Sequence, residues 1–258
     1  MEEKIKKLID NLKSKLDTEI VAIIYNPLKE EGIKDQDCKF LYTLLEKNEY
    51  VYPLFLLSGN GGDFIPGLLF PGIIKKHVDN YKVYIPGICG SALCYTIFQA
   101  NELLVEKKTR ITQIDPTFNH NGETLRAIRH LRSPDDTKKD FARKSFDLFQ
   151  KQIKELSAPP SIFDFKKSEL TDFELMDLIV QHFMNKEFHE SPITVKEMKG
   201  MSMKIKEIGE SDIEKLSKDF VETCQDFTIK EDVRVIFVSS IPFELEKEGK
   251  GSFICPLK

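Results

Sequence analysis

The sequence predicts an α/β protein with a mostly parallel sheet covered on both sides. Two apolar runs, over residues 19–25 and 51–57, are continuous rather than alternating, as in strands buried on both faces. Segments with helical spacing of apolar residues separate them. The connections are short, which suits alternating strands and helices.

Residues 3–16 place Ile5, Leu8, Ile9, Leu12 and Leu16 on one helical face. The strand over 19–25 is closed by Asn26-Pro27. Residues 35–47 read as a helix with Phe40, Leu41, Leu44 and Leu45 inward, and 51–57 as the next strand. Residues 64–80 are helical with an irregular start, because Pro66 and Pro71 each lack a backbone donor. A strand over 83–85, a helix over 92–99 and short strands over 103–105 and 110–114 follow. A long helix over 134–156 carries Phe141, Leu148, Phe149, Ile153 and Leu156 as its apolar stripe, and Pro159-Pro160 ends it. Residues 173–185 and 213–224 are helical, and 233–239 form a last strand. No repeat of residues and no low-complexity segment is present.

The chain of 258 residues suits one large α/β domain, or a domain with an extension. A composition of 41% hydrophobic and 31% charged residues is that of a soluble globular protein. The net charge of −4 gives no footprint for nucleic acid or an anionic membrane. Cys38, Cys89, Cys94, Cys224 and Cys255 fit neither a zinc pattern nor a Cys-x-x-Cys motif, so reduced, buried thiols are expected. The N-terminus lacks the apolar core of a signal peptide, and the apolar stretch 52–74 is broken by Asn60, Asp63, glycines and prolines. A cytoplasmic protein is expected.

The chemistry concentrates between Leu54 and Phe118. One strand ends in Ser58-Gly59-Asn60-Gly61-Gly62-Asp63, and the next leads to Pro86-Gly87-Ile88-Cys89-Gly90-Ser91. A helix starting at Ser91 would aim free N–H groups at developing negative charge, with small neighbours Gly90 and Ala92 leaving room for a substrate. Ser91 is then a nucleophile, or simply an N-cap. Gly61-Gly62 forms an oxyanion nest, or an ordinary turn that needs positive φ. Together the two turns make an acyl-transfer site plausible. The Gly-x-Ser-x-Gly elbow is absent, because Cys89 and Leu93 stand in place of its glycines.

This order of motifs resembles the serine dehydrogenase proteinase family, within the wider fold group of the Clp proteolytic subunit, signal peptide peptidase A and the crotonases. Asn60-Gly61-Gly62 parallels the family's Pro-Gly-Gly. Gly90-Ser91-Ala92-Leu93-Cys94 parallels Met-Ser-Gly-Gly-Thr. Ala100-Asn101-Glu102 parallels Ala-Asp-Glu, and Gln113-Ile114-Asp115-Pro116-Thr117 parallels Gly-Pro-Val-Asp-Pro-Gln. Phe141-Ala142-Arg143-Lys144-Ser145 and the segment from His189 to Met198 resemble two later family segments. The resemblance covers roughly residues 15–206. It departs from the family at Asn60, Ala92, Leu93 and Thr117.

The resemblance implies a Clp/crotonase-like repeated ββα superhelix over residues 1–208, with 209–258 as a C-terminal α/β extension. It implies peptide-bond hydrolysis through an acyl-enzyme, peptide or unfolded-protein substrates, and a homo-oligomer. No histidine follows Ser91 at the Clp interval. Signal peptide peptidases of this fold use a serine and a lysine, and Lys144 lies at a comparable interval. A partly buried lysine there would have the lowered pKa of a general base, whereas a snorkelling surface lysine would not. Lys138 lies nearer the centre of the apolar stripe, so the resemblance rather than periodicity selects Lys144. His189 is the second candidate base, and Asp115 either orients a base or caps a turn. The remaining histidines show no metal-ligand spacing, and neither metal nor cofactor is expected. Two other readings stay open: an inactive member that binds extended peptides, and a crotonase-like thioester enzyme using Glu102 or Asp115.

Overall fold

The computed structural model describes residues 1–29, 32–114, 117–156, 162–164, 174, 183, 192–209, 212–241 and 252–255. Helix α1 (Glu2–Leu16) buries Ile5, Ile9 and Leu12. Strand β1 (Ile20–Tyr25) is buried at all six positions. Its Val21, Ile23 and Tyr25 join the core beneath α2 (Asp35–Glu46), and its Ile20, Ala22 and Ile24 join the core beneath α1. Because both faces are covered, the strand reads as one apolar run. Full burial of each such side chain contributes about 1.5–3 kcal/mol.

Strand β2 (Leu54–Ser58) starts three residues later than the sequence suggests. Pro53 has no N–H for the ladder, and Lys82 N–H takes its carbonyl. Helix α3 (Phe64–His77) follows, with Pro71 inside it. Then come β3 (Lys82–Ile85) and β4 (Ile88–Cys89). The helix expected over 92–99 is a 3₁₀ turn, Ser91–Cys94, running into a single turn, α4 (Tyr95–Phe98). Strands β5 (Glu102–Val105) and β6 (Arg110–Ile111) come next. The latter is shorter than 110–114: Thr112 N–H still donates to Cys89 O, its hydroxyl accepts from Ser91 N–H, and beyond it Ile114 N–H turns to Phe183 O.

A hairpin, β7 (Thr117–His120) and β8 (Glu123–Arg126), leads through α5 (Ala127–His130) to α6 (Asp136–Leu156). Helix α7 (Val195–Gly200) is opened by a capping box between Thr194 and Glu197. Strand β9 (Ile205–Glu207), helix α8 (Asp212–Lys230) and strands β10 (Val235–Ser239) and β11 (Ser252–Cys255) complete the chain. The helix expected over 173–185 lies outside the described residues except for Glu174 and the buried Phe183, both helical.

The seven-stranded sheet has the order β11-β10-β1-β2-β3-β5-β9. All neighbours are parallel except β1 and β10. Beside it runs a second, smaller ladder. Gly59 bridges Cys89, β4 pairs with β6, and Ile111 bridges Ile193. Each unit therefore gives a long strand to the main sheet, a short segment to the small ladder, and then a helix. The triplets β1–Ile33–α2, β2–Gly59–α3 and β3–β4–α4 repeat this ββα plan. The repeat lies in the backbone and has no counterpart in residue identity. Residues on either side of 208 share the sheet, since β9 forms one edge while β10 pairs directly with β1.

A buried ion pair ties the last part of the chain to the first. Arg234 contacts Asp37 with both guanidinium arms, at 2.7 and 2.5 Å, and donates to the Gly32 carbonyl. Asp37 also accepts from Tyr25 Oη at 3.1 Å and from Lys34 N–H at 2.9 Å. Burial and the Asp37 charge raise the Tyr25 phenol well above its ordinary pKa, so it stays a donor.

Candidate active site

Ser91 sits where β4 turns into the 3₁₀ helix. Its φ is +44°, a left-handed conformation rare for a residue with a β-carbon. Such backbone costs on the order of 1–3 kcal/mol and persists only where the surroundings enforce it. Here they do. Ser91 N–H donates to Thr112 Oγ1 at 3.0 Å. Gly90 N–H donates to Gly59 O at 2.9 Å, and Leu93 N–H to Gly90 O at 3.1 Å. Beneath the turn, Cys94 Sγ lies 3.1 Å from the Cys89 carbonyl, and burial pushes its thiol pKa well up. Cys38, Cys89, Cys94 and Cys224 are all buried free thiols, as the sequence suggests.

The glycine turn after β2 lies against this serine. Gly61 has φ +111° and Gly62 φ +137°. A β-carbon on Gly61 would lie 2.6 Å from Ser91 Cβ, and one on Gly62 would lie 1.9 Å from Ile33 N. Glycine is therefore required twice over, by conformation and by space. The turn is held from behind, where Ile33 N–H donates to Gly61 O at 2.7 Å and Asp63 N–H to Ile33 O at 2.9 Å. Among the described residues the N–H groups of Gly61 and Gly62 have no hydrogen-bond partner.

Ala92 and Leu93, which stand where the serine dehydrogenase proteinases carry glycines, are accommodated inside. Leu93 has no exposed surface and Ala92 only 2%. Leu93 thus packs in the core rather than beside the serine hydroxyl. Ala92 meets α3 at Gly67, where a β-carbon would come within 2.7 Å of Ala92 Cβ.

Ser91 is half-buried, and among the described residues its Oγ has no hydrogen-bond partner. Lys144 does not supply one. It lies on α6 with a side chain 72% exposed, 2.7 Å from Asp140 Oδ2. Of the two readings of Lys144 the surface one is observed, because the inward face of α6 is a different one. Ala142 is fully buried against Ala127, and Phe146 packs against the main core. Phe141 and Leu148, expected inside, are 44% and 51% exposed. Phe149, Ile153 and Leu156 have side chains outside the described residues, as do Asp115 and His189 altogether.

Glu102 pairs with Lys82 at 3.9 Å where β3 and β5 begin, at the opposite strand ends from Ser91. Thr112 is the site residue that sequence reasoning missed. Its signal was a hydroxyl residue at the end of a short strand adjoining the serine turn. No group of three metal-ligating side chains occurs among the described residues. No helix among them is long and apolar enough to cross a membrane. A cavity of about 270 Å³ opens where β1, β2 and β3 end, against α8. Gly59, Asn60 and Ile88 line it, while Ser91 does not.

The repeated ββα plan, with its mostly parallel sheet, makes this an α/β protein of the Clp/crotonase-like fold class. No protein-family model and no curated protein matches the chain. Solved structures do. ClpP1 from Listeria monocytogenes is 15% identical, with TM-score 0.45 and coverage of 80% of this chain and 96% of that one. A mutant of the membrane-bound stomatin-specific protease 1510-N is 16% identical, with TM-score 0.44 and coverage of 70% and 74%. A putative enoyl-CoA hydratase from Streptomyces coelicolor A3(2) is 8% identical, with TM-score 0.42 and coverage of 79% and 68%. These likenesses concern the fold.

Proposed function

We propose that the chain is a serine peptidase resembling the serine dehydrogenase proteinases. The observation that carries this is the left-handed Ser91 held against the Gly61–Gly62 turn. Ser91 Oγ attacks the peptide carbonyl carbon and gives its proton to a general base. The carbonyl oxygen becomes an oxyanion and takes hydrogen bonds from backbone N–H groups of the Gly61–Gly62 turn, joined by the N–H of Ala92. Collapse breaks the C–N bond, the base returns the proton to the leaving amine, and water then hydrolyses the acyl-serine.

The base in this reading is Lys144, with Asp115 and His189 in support. Phe141 and Leu148 flank Lys144 on an exposed helix face. Covering that face in a homo-oligomer would strip water from the amine. Substrates are peptides or unfolded chains, and the four buried free thiols suit a reducing cytoplasm.

A second reading is an inactive peptide-binding member of the same fold. It is favoured by the absence, among the described residues, of a hydrogen-bond partner for Ser91 Oγ. A fluorophosphonate probe separates the two. One adduct in the intact mass of wild type, and none on folded Ser91→Ala, is the expected outcome. Unlabelled but correctly assembled wild type gives the second reading.

A further inference from the structure

The cavity beside α8 is not used by the proposed chemistry. At about 270 Å³ it holds the volume of roughly nine waters and sits just below the usual range for small-molecule pockets. It opens outside the carboxyl ends of parallel strands, where open α/β sheets commonly take ligands.

Its charges cancel. Lys29 pairs with Asp232 at 2.8 Å, and Lys218 lies 3.7 Å from Glu222. What its wall offers is apolar surface from Pro27, Pro86, Ile88 and Val221, and, besides Tyr25 and Asn26, which are bonded within the protein, three neutral polar side chains. Ser58 is one of these. It is only 6% exposed, it lines the cavity, and its hydroxyl has no hydrogen-bond partner among the described residues. In β2, Leu54 and Leu56 point into the core beneath α1 and α8. Strand alternation turns Ser58 the same way, toward α8. The side-chain amides of Asn60 and Gln225, also in the wall, likewise have no partner among the described residues. The hydroxyl itself is not sealed off, since it is not one of the buried side-chain oxygens left without a partner, so it opens to the cavity and can bond a molecule placed there.

We infer that this cavity binds a neutral aliphatic amide, the size of one leucine-like residue with its flanking peptide groups. Ile88, Val221 and the prolines take the aliphatic side chain. Ser58, Asn60 and Gln225 supply donors and acceptors to the peptide groups. A carboxylate or an ammonium gains nothing, since each lysine already has its acid. The site is therefore a second peptide-recognition point, behind the Ser91 turn and separate from it. It does not depend on Ser91 being a nucleophile.

The test is calorimetric titration of the full chain with N-acetyl-leucinamide, beside hexanoate and hexylamine. Saturable binding of the amide is expected, with the two ions at least tenfold weaker. Ser58→Ala should weaken the amide about fivefold, the loss of one hydrogen bond of ~1 kcal/mol. Val221→Arg should abolish binding. Ile88→Lys, at a position 43% exposed, repeats that test on a variant whose fold is not at risk. No binding to wild type, binding unchanged in both blocking variants, or equal affinity for an ion would each overturn the assignment.

Discussion

The Ser91 turn and helix α6 were both expected to supply catalytic groups, and they are built on opposite principles. The turn is enclosed. Its left-handed serine is fixed by Thr112, by Gly59 and by a glycine pair that leaves no room for a β-carbon. Lys144 on α6 is held, among the described residues, by an exposed pair with Asp140, four residues away on its own helix, and surface pairs of this kind contribute a few tenths of a kcal/mol. A serine geometry written into the core exists in every folded copy of the chain. A lysine on an exposed face is placed by whatever later covers that face.

The largest expected effect comes from breaking the support behind the turn. Arg234→Met leaves Asp37 buried without its cation, which should cost about 3–5 kcal/mol in denaturant unfolding. It also frees the Gly32–Ile33 segment that backs Gly61 and Gly62, so Ser91 labelling should slow. Full stability in this variant would mean that the pair does not hold the loop.

Next comes the turn itself. Gly61→Ala forces a β-carbon onto φ +111° and against Ser91 Cβ. A loss of about 2–4 kcal/mol is expected, with probe labelling gone even where the variant still folds. Normal labelling of Gly61→Ala would show that the two turns do not act together.

Lys144→Ala should do the reverse. An exposed residue predicts a stability change within about 0.5 kcal/mol, while labelling by the probe should fall at least tenfold in the assembled protein. Unchanged labelling removes Lys144 from the mechanism and moves the search for a base to His189 and Asp115.

The smallest effect lies elsewhere on the sheet and acts as a control. Glu106 follows β5, is 4% exposed, and accepts from Tyr84 Oη at 2.5 Å and Ser217 Oγ at 2.8 Å. Burial raises its carboxyl above the usual 4.5, although these two hydrogen bonds oppose the shift. The folded state therefore holds the proton more tightly than the unfolded state. The stabilising contribution is complete below the unfolded value of about 4.5 and fades as pH rises through the folded one. Wild type should accordingly lose stability relative to Glu106→Gln across that rise, with Ser91 labelling unaffected. A difference that stays flat with pH would mean that Glu106 keeps an ordinary carboxyl.

Much of the sheet was legible because burial on both faces leaves a plain mark. Strands β1, β2, β3 and β5 read as apolar runs, and α1 shows its stripe. The hairpin β7–β8 was missed although its signal is present. Asn121-Gly122 joins the strands with φ +52° and +83°, the pairing that a tight hairpin turn favours. Strands β4 and β9 are only two and three residues long, too short for any periodicity to register. The α6 stripe misled because an apolar helix face can await a partner as readily as it can face the core.

The sequence by itself determined the local matters: where β1, β2, β3 and β5 run, that glycines follow β2, and that a serine opens the turn after β4. Each follows from short-range sterics and from the apolar count of a few neighbouring residues. Only the tertiary structure decided that Gly61 touches Ser91, that Thr112 holds the serine N–H, that Arg234 reaches Asp37 across 197 positions, and that Lys144 faces outward. Those relations depend on how strands stack side by side and which face of a helix the core accepts, and no stretch of neighbouring residues encodes either.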